Sequence, residues 1–339
     1  MTISVLICDD SGFARRQMAR SIPDGWDVSI SFAENGKEAI ELIRQGKGDV
    51  MFLDLNMPVM DGYETMEVVR AEDLPTMVIV VSGDVQAEAR ARMKALGALD
   101  FIRKPIDNQK LVKILRQYGL YSGDGSAENR ETDIPESGSS EKTEADVLDA
   151  FREMANVAMG QAGEKLAQLL GEFIDLPIPN VNLIETPELH MAIAEVKSND
   201  SVSAVSQGFI SAGINGEALL IFNDANTSSM IELLKYQLTA ANQELELEAL
   251  LDVSNILIGA CLNALSDQLY VKFSHTHPIV LGRHCDLDEL LSRNVSRWNK
   301  VLAIEIGYAI KSHGIQFDLL LLFPDNAMEL MFEKLVQTG

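Results

Sequence analysis

The distribution of apolar and polar positions along the chain changes rhythm once. Up to residue 121, short apolar runs alternate with amphipathic segments. The runs "ISVLIC", "WDVSISFA", "DVMFLD", "TMVIVVS" and "LDFIRK" predict five strands with helices between them. Nearly continuous apolar runs suit strands covered on both faces, so the pattern predicts an α/β domain with a doubly wound parallel five-stranded sheet. In such sheets the working residues gather beyond the carboxyl ends of the strands.

From Ser122 to Glu144 the chain reads "SGDGSAENRETDIPESGSSEKTE", with almost nothing to bury, and is expected to be a flexible acidic linker. The expected division is therefore 1–121, linker 122–144, and a second domain at 145–339. That domain opens on "DAFREMANVAMG", a helix with Val147, Phe151, Met154 and Ala158 on one face and Asp149, Glu153 and Asn156 in a row on the other. The row is expected to face solvent and Asn156 to bury little. It recurs as Glu248, Asp252 and Asn255, and in both copies 22 residues separate the Asn from a proline, Pro179 or Pro278. Gly160 and Gly259 follow each Asn by four positions, and "EALLIFNDANTSSMIELL" is echoed by "FDLLLLFPDNAMELMFEKL". Two repeats, 146–240 and 243–339, predict an α+β domain of pseudo-two-fold symmetry with one antiparallel sheet and two long motif helices.

Composition narrows the functional classes. Fifty-one acidic against 28 basic residues give a net charge of -23, which disfavours nucleic acid and anionic lipid as partners. No uninterrupted apolar run reaches the ~18 residues of a membrane span, and the N-terminus lacks the pattern of a signal peptide. The three cysteines, Cys8, Cys261 and Cys285, are widely spaced, as expected of a reducing cytoplasm. His275 and His277 lack a convincing set of zinc co-ligands, and the fourteen methionines fall mostly at apolar helix positions.

The strand ends carry the chemistry. Asp9 and Asp10 end the first strand, Asp54 the third, Ser82 the fourth, and Lys104 follows the fifth. Converging carboxylates repel one another unless a divalent cation neutralises them, and hard oxygen ligands favour Mg²⁺. With a lysine and a hydroxyl alongside, the set suits phosphoryl chemistry, with Asp54 as nucleophile.

On the motifs "CDD", "DLNMPVMDG", "VVSGD" and "FIRKP", the first domain resembles the CheY-like receiver domain of two-component response regulators. The resemblance implies that Asp54 accepts phosphate from a histidine kinase of the CheA type. It implies Mg²⁺ held by Asp10, Asp54 and the Asn56 carbonyl, with Asp9 acting through water. Ser82 and Phe101 would rearrange on phosphorylation.

In the second domain the repeated neutral amide is informative. Asn cannot take a proton, but it donates and accepts hydrogen bonds together and so can hold a water. Phosphoryl transfer is accelerated mainly by positioning. The Asp/Ser–Glu–Asn–Pro pattern resembles the CheC/CheX/FliY chemotaxis phosphatases, with the doubled motif most like CheC. This implies hydrolysis of aspartyl phosphate on CheY-like receivers, with Glu153 and Asn156, and Asp252 and Asn255, as the catalytic pairs. Asp252 stands where Glu is expected, so the second site is expected to be the weaker. The competing reading is a non-catalytic adaptor for a signalling or flagellar partner. A linker of 23 residues reaches about 25 Å at ~5–6 Å × √n. The receiver is therefore expected to meet the motif helices of its own chain as competitor or substrate, homodimer formation being the other route of control.

Overall fold

The computed structural model describes residues 2–123, 143–185, 202–235, 242–285 and 300–338; nearly all of the expected linker lies outside them, as do Trp298 and several connections. The chain divides into two compact units, Met1–Glu153 and Met154–Gly339. The division falls inside a helix, α6 (Glu144–Leu170), rather than at residue 145. The first turns of α6 fall in the first unit, where Asp149 and Glu153 find polar partners.

In the first unit, β1 (Ile3–Cys8), α1 (Gly12–Ser21), β2 (Val28–Ala33), α2 (Gly36–Arg44), β3 (Val50–Leu53), α3 (Gly62–Ala71), β4 (Met77–Ser82), α4 (Ala87–Leu96), β5 (Asp100–Arg103) and α5 (Asn108–Gln117) alternate. The sheet order is β2-β1-β3-β4-β5, and every pair is parallel. All four residues of the central β3 are buried, as its unbroken apolar run requires. Edge strand β2 departs from that expectation, leaving Ile30 and Phe32 exposed. Val5, Ile7, Phe52, Ile79 and Ile102 pack with Trp26, Met18 and Leu111 into one core. Burying a side chain such as Phe52 contributes about 1.5–3 kcal/mol. Local signals start the helices: Ser11, Asn35 and Asp107 cap α1, α2 and α5, and Asp61 with Glu64 forms a capping box on α3.

The second unit contains the rest of α6, then β6 (Asn180–Glu185), β7 (Val202–Ser211), β8 (Ile214–Asn223) and α7 (Thr227–Leu233). The same succession returns as α8 (Asn242–Leu269), a short β9 (Ser274–His275), β10 (Ile279–Cys285), β11 (Lys300–Ile310), β12 (Ile315–Pro324) and α9 (Asp325–Thr338). The sheet is antiparallel with order β10-β7-β8-β12-β11-β6, and β9 adds to β7. Exchanging β6 with β10, β7 with β11 and β8 with β12 reverses this order without altering it. A pseudo-two-fold therefore passes between β8 and β12, and each repeat lends its first strand to the other's half of the sheet. Pro179 and Pro278 each immediately precede those lent strands. Phe222 and Phe317 stack across β8 and β12 at 5.0 Å, with Tyr308 on Phe317 at 5.5 Å.

Helices α6 and α8 pack together: Gln268 Nε2 donates to the Met154 carbonyl at 3.2 Å, and Cys261 Sγ lies 3.8 Å from that of Ala158. The stretch Leu245–Leu269 is long and apolar enough to cross a membrane by length and composition alone, although charged residues interrupt it. Its apolarity has a local cause. Val253, Leu257, Ile258, Cys261 and Leu265 are all buried inside the unit.

Candidate functional site

Because the five strands of the first unit are parallel, their carboxyl ends meet at one edge of the sheet. Asp9 and Asp10 follow β1, Asp54 follows β3, Ser82 closes β4 and Lys104 follows β5. One carboxylate oxygen from each of Asp9, Asp10 and Asp54 lies within 4.8 Å of the others. Lys104 Nζ stands 2.7 Å from Asp9 Oδ2 and 3.2 Å from Asp54 Oδ1. The Asn56 N–H donates to Asp54 Oδ2 at 3.0 Å, and the Ser82 hydroxyl accepts the Asp84 N–H at 3.2 Å. Phe101 is half-buried under the Arg90 guanidinium, 5.4 Å from its ring centre.

Burial sets the electrostatics. It lifts the Asp10 carboxyl, with Asp9 adding and Lys104 opposing, to about 6. Asp54 is also pushed upward, first by burial, against the pull of Lys104 and with the help of Asp9 and Asp10. Burial would lower Lys104, but Asp54, Asp9 and Glu153 outweigh it and hold the ammonium well above its ordinary value. Asp54 Oδ1 is buried with the Lys104 charge beside it but no aligned hydrogen-bond donor. A buried carboxylate oxygen with spare acceptor capacity, next to two further carboxylates, fits a hard divalent cation, and Asp9, Asp10 and Asp54 are compatible with Mg²⁺.

The first turns of α6 complete this site. Glu153 Oε1 lies 3.0 Å from Lys104 Nζ, and Asp149 Oδ2 accepts the Phe13 N–H at 2.8 Å. Glu153 is lifted by burial, with Lys104 pulling the other way. A cavity of about 10 Å³ is lined in part by Asp9, Asp54, Lys104 and Glu153, at the lower limit of the space that admits one water.

The expectation of a solvent-facing motif row fails for the first copy. Glu153 and Asn156 are each only 5% exposed. Helical periodicity distinguished the polar face from the apolar one, but not whether that polar face would be covered. The second copy does face solvent: Glu248, Asp252 and Asn255 are exposed, and a Cβ added at Gly259 would meet no atom within 4 Å.

Three contributors escaped the sequence reading. Arg15 Nη1 donates to the carbonyls of Asp9 and Asp10, at 2.7 and 3.2 Å, and steadies the acidic turn. Gly62 lies so close that an added Cβ would come within 2.4 Å of the Asp54 carbonyl oxygen. The contact of Asp149 with Phe13 had one available signal. The first turn of α1 holds no acidic residue, although a helix N-terminus favours one.

A family model for the response regulator receiver domain matches residues 5–116. The first unit contains a receiver domain. A receiver of this kind implies a phosphodonor kinase in a two-component system. A protein-glutamate methylesterase/protein-glutamine glutaminase of Bacillus licheniformis is 34% identical over 140 residues, 39% of this chain and 39% of that protein. The relative of the same name from Photobacterium profundum is 41% identical over 112 residues, 32% of this chain and 28% of its own. The chain thus spans well under half the length of these curated relatives. Among solved structures, Thermotoga maritima FliY aligns with 57% of this chain and 97% of its own at 18% identity and a TM-score of 0.45.

Proposed function

We propose that this chain is a response regulator whose second unit is a phosphatase of aspartyl phosphate on CheY-like receivers, working in chemotaxis signalling. The observation that carries the reading is the pair of Glu153 with Lys104. A motif glutamate meets a receiver lysine beside the phosphoacceptor Asp54. Asn156 follows one turn later in the same helix. The names of the curated relatives point to a methylesterase output, but the shared stretch covers only 39% of this chain in the longer match, and the repeated Glu/Asp–Asn motif is explained by phosphatase chemistry.

In the forward step, phosphohistidine on a CheA-like kinase is attacked by the Asp54 carboxylate. The new oxygen–phosphorus bond forms as the phosphorus–nitrogen bond breaks, and the imidazole leaves with the electron pair. Mg²⁺ held by Asp9, Asp10 and Asp54, with the Asn56 carbonyl, would supply positive charge to the phosphoryl oxygens. Lys104 adds its ammonium on another side, and Ser82 and Phe101 rearrange around the new group.

In the reverse half, on a phosphorylated target, the motif glutamate pairs with the target's lysine and the amide aligns a water with the phosphorus–oxygen bond. Attack forms the new oxygen–phosphorus bond, the aspartate carboxylate leaves with the electrons, and inorganic phosphate carries the water's proton or releases it to solvent. An amide suffices because a loose transition state demands alignment more than proton abstraction.

The test is phosphate release from separately phosphorylated CheY-like receivers by the full chain. Asn156→Ala together with Asn255→Ala is expected to abolish turnover. Binding of the receiver without any release by the unaltered chain would establish the adaptor reading instead.

A further inference from the structure

The Lys104 that pairs with Glu153 belongs to the same chain, and the geometry points to the substrate of the first motif: we infer that Asp149 and Glu153 hold the chain's own receiver, so that the first motif hydrolyses phospho-Asp54 in cis, leaving the second motif open to other receivers. This deepens the phosphatase reading and rests on it.

Two independent contacts inside the first unit make the capture specific. Glu153 reaches the buried ammonium, with Oε1 and Oε2 at 3.0 and 3.3 Å from Nζ. Asp149, one helical turn earlier, takes the Phe13 N–H at the start of α1, an end that bears partial positive charge and has no acid of its own in its first turn. A carboxylate there is both a hydrogen-bond acceptor and a charge partner for the helix. These are the first two members of the motif row, and they address two different elements of one receiver surface. Asp149 is thus a positioning residue that reads backbone, while Glu153 reads the lysine beside the phosphoacceptor.

The contrast between the copies extends the argument. Glu153 and Asn156 are covered, whereas Asp252 and Asn255 are exposed. A first motif already holding a receiver is closed to a second one, because a target's lysine would have to displace Lys104. The balanced step is the hydrolysis given above: water oxygen bonds to phosphorus, the Asp54 oxygen–phosphorus bond breaks, and phosphate departs.

The test labels the full chain, carrying Asn255→Ala so that the second motif is silent, at Asp54 with radioactive acetyl phosphate in the presence of Mg²⁺, removes the donor and follows loss of label at widely different chain concentrations. The expected result is first-order decay independent of concentration, slowed on the order of 10²–10³-fold by Asn156→Ala. An excess of unlabelled Asp54→Asn, Asn255→Ala chain, whose first motif is intact, should not restore the rate of labelled Asn156→Ala, Asn255→Ala chain. Asp149→Asn should slow the decay less than Asn156→Ala, and the Phe13 amide should then lose protection from hydrogen exchange. Restoration by the added chain would overturn the inference and leave the phosphatase reading standing, since the motif would then serve another copy. Unchanged self-decay in Asn156→Ala also overturns it. In that case turnover of a separate phosphorylated receiver decides whether the phosphatase reading falls too.

Discussion

Replacing Lys104 with methionine removes one charge from a site where three carboxylates converge on it. The lysine lies 2.7 Å from Asp9, 3.2 Å from Asp54 and 3.0 Å from Glu153, and its side chain is 5% exposed. At about 3 Å and an effective dielectric near 20, each pair is worth about 5 kcal/mol of gross Coulomb energy. Most of that offsets the cost of desolvating the charges. What remains on deleting one partner is the stranded carboxylates, and such losses run to about 3–5 kcal/mol. Protonation sets a ceiling on the loss and gives it a pH signature. Without the ammonium, the buried carboxyls of Asp54 and Glu153 move still further above their unfolded values. The folded variant then binds more protons than the unfolded chain, so its stability falls as pH rises through the window above about 4. Burial already holds Asp54 at about 7 and Glu153 at about 8 in the unaltered protein, so the deficit relative to it is expected to be small near pH 5 and to grow as pH rises from about 7 through 8 and beyond. Mg²⁺ should restore part of it by neutralising the same oxygens. Urea unfolding followed by Trp26 fluorescence, in a Trp298→Phe background, reports the first unit selectively, because Trp26 lies in that unit's core. A deficit below about 1 kcal/mol at pH 8, or one independent of pH, would refute the electrostatic account of this site.

Asp54→Asn should abolish phosphorylation by acetyl phosphate, and a remaining acid- and base-labile adduct would place the acceptor elsewhere. Gly62→Ala brings a methyl group against the Asp54 carbonyl and should cost about 1–3 kcal/mol while slowing phosphorylation, read from unfolding midpoints and labelling rates. Asp318 on β12 is raised by burial, and then by Glu305, from 3.8 to about 6; the folded form holds its proton more tightly, so it loses stability as pH rises from about 4 to 6. Asp318→Asn should therefore stabilise the second unit by about 1–2 kcal/mol at pH 7.5 and hardly at pH 4, and equal effects at both pH values would show the carboxyl is not desolvated. On separate phosphorylated receivers, Asp252→Glu should raise turnover at the second motif, and no gain would mean that the shorter carboxylate already reaches its partner.

The sequence by itself determined the order of elements, the parallel sheet of the first unit and the edge at which Asp9, Asp10, Asp54, Ser82 and Lys104 meet. These follow from local rules: unbroken apolar runs make covered strands, and parallel strands carry whatever follows them to one edge. It also exposed the repeat, because equal spacing from Asn156 to Pro179 and from Asn255 to Pro278 survives in the primary structure. What only the tertiary structure decided were relations between distant segments. Each repeat lends its first strand to the other, β6 pairing with β11 and β10 with β7, an arrangement that depends on how two halves satisfy their edges together. Gly62 needed the position of the Asp54 carbonyl before its lack of a side chain acquired a meaning. The two motif rows look nearly alike as periodic patterns, yet one is buried and the other exposed. Periodicity assigns a residue to a face of a helix, whereas the burial of that face depends on what comes to lie against it. Glu153 has Lys104 there, contributed from 49 residues away.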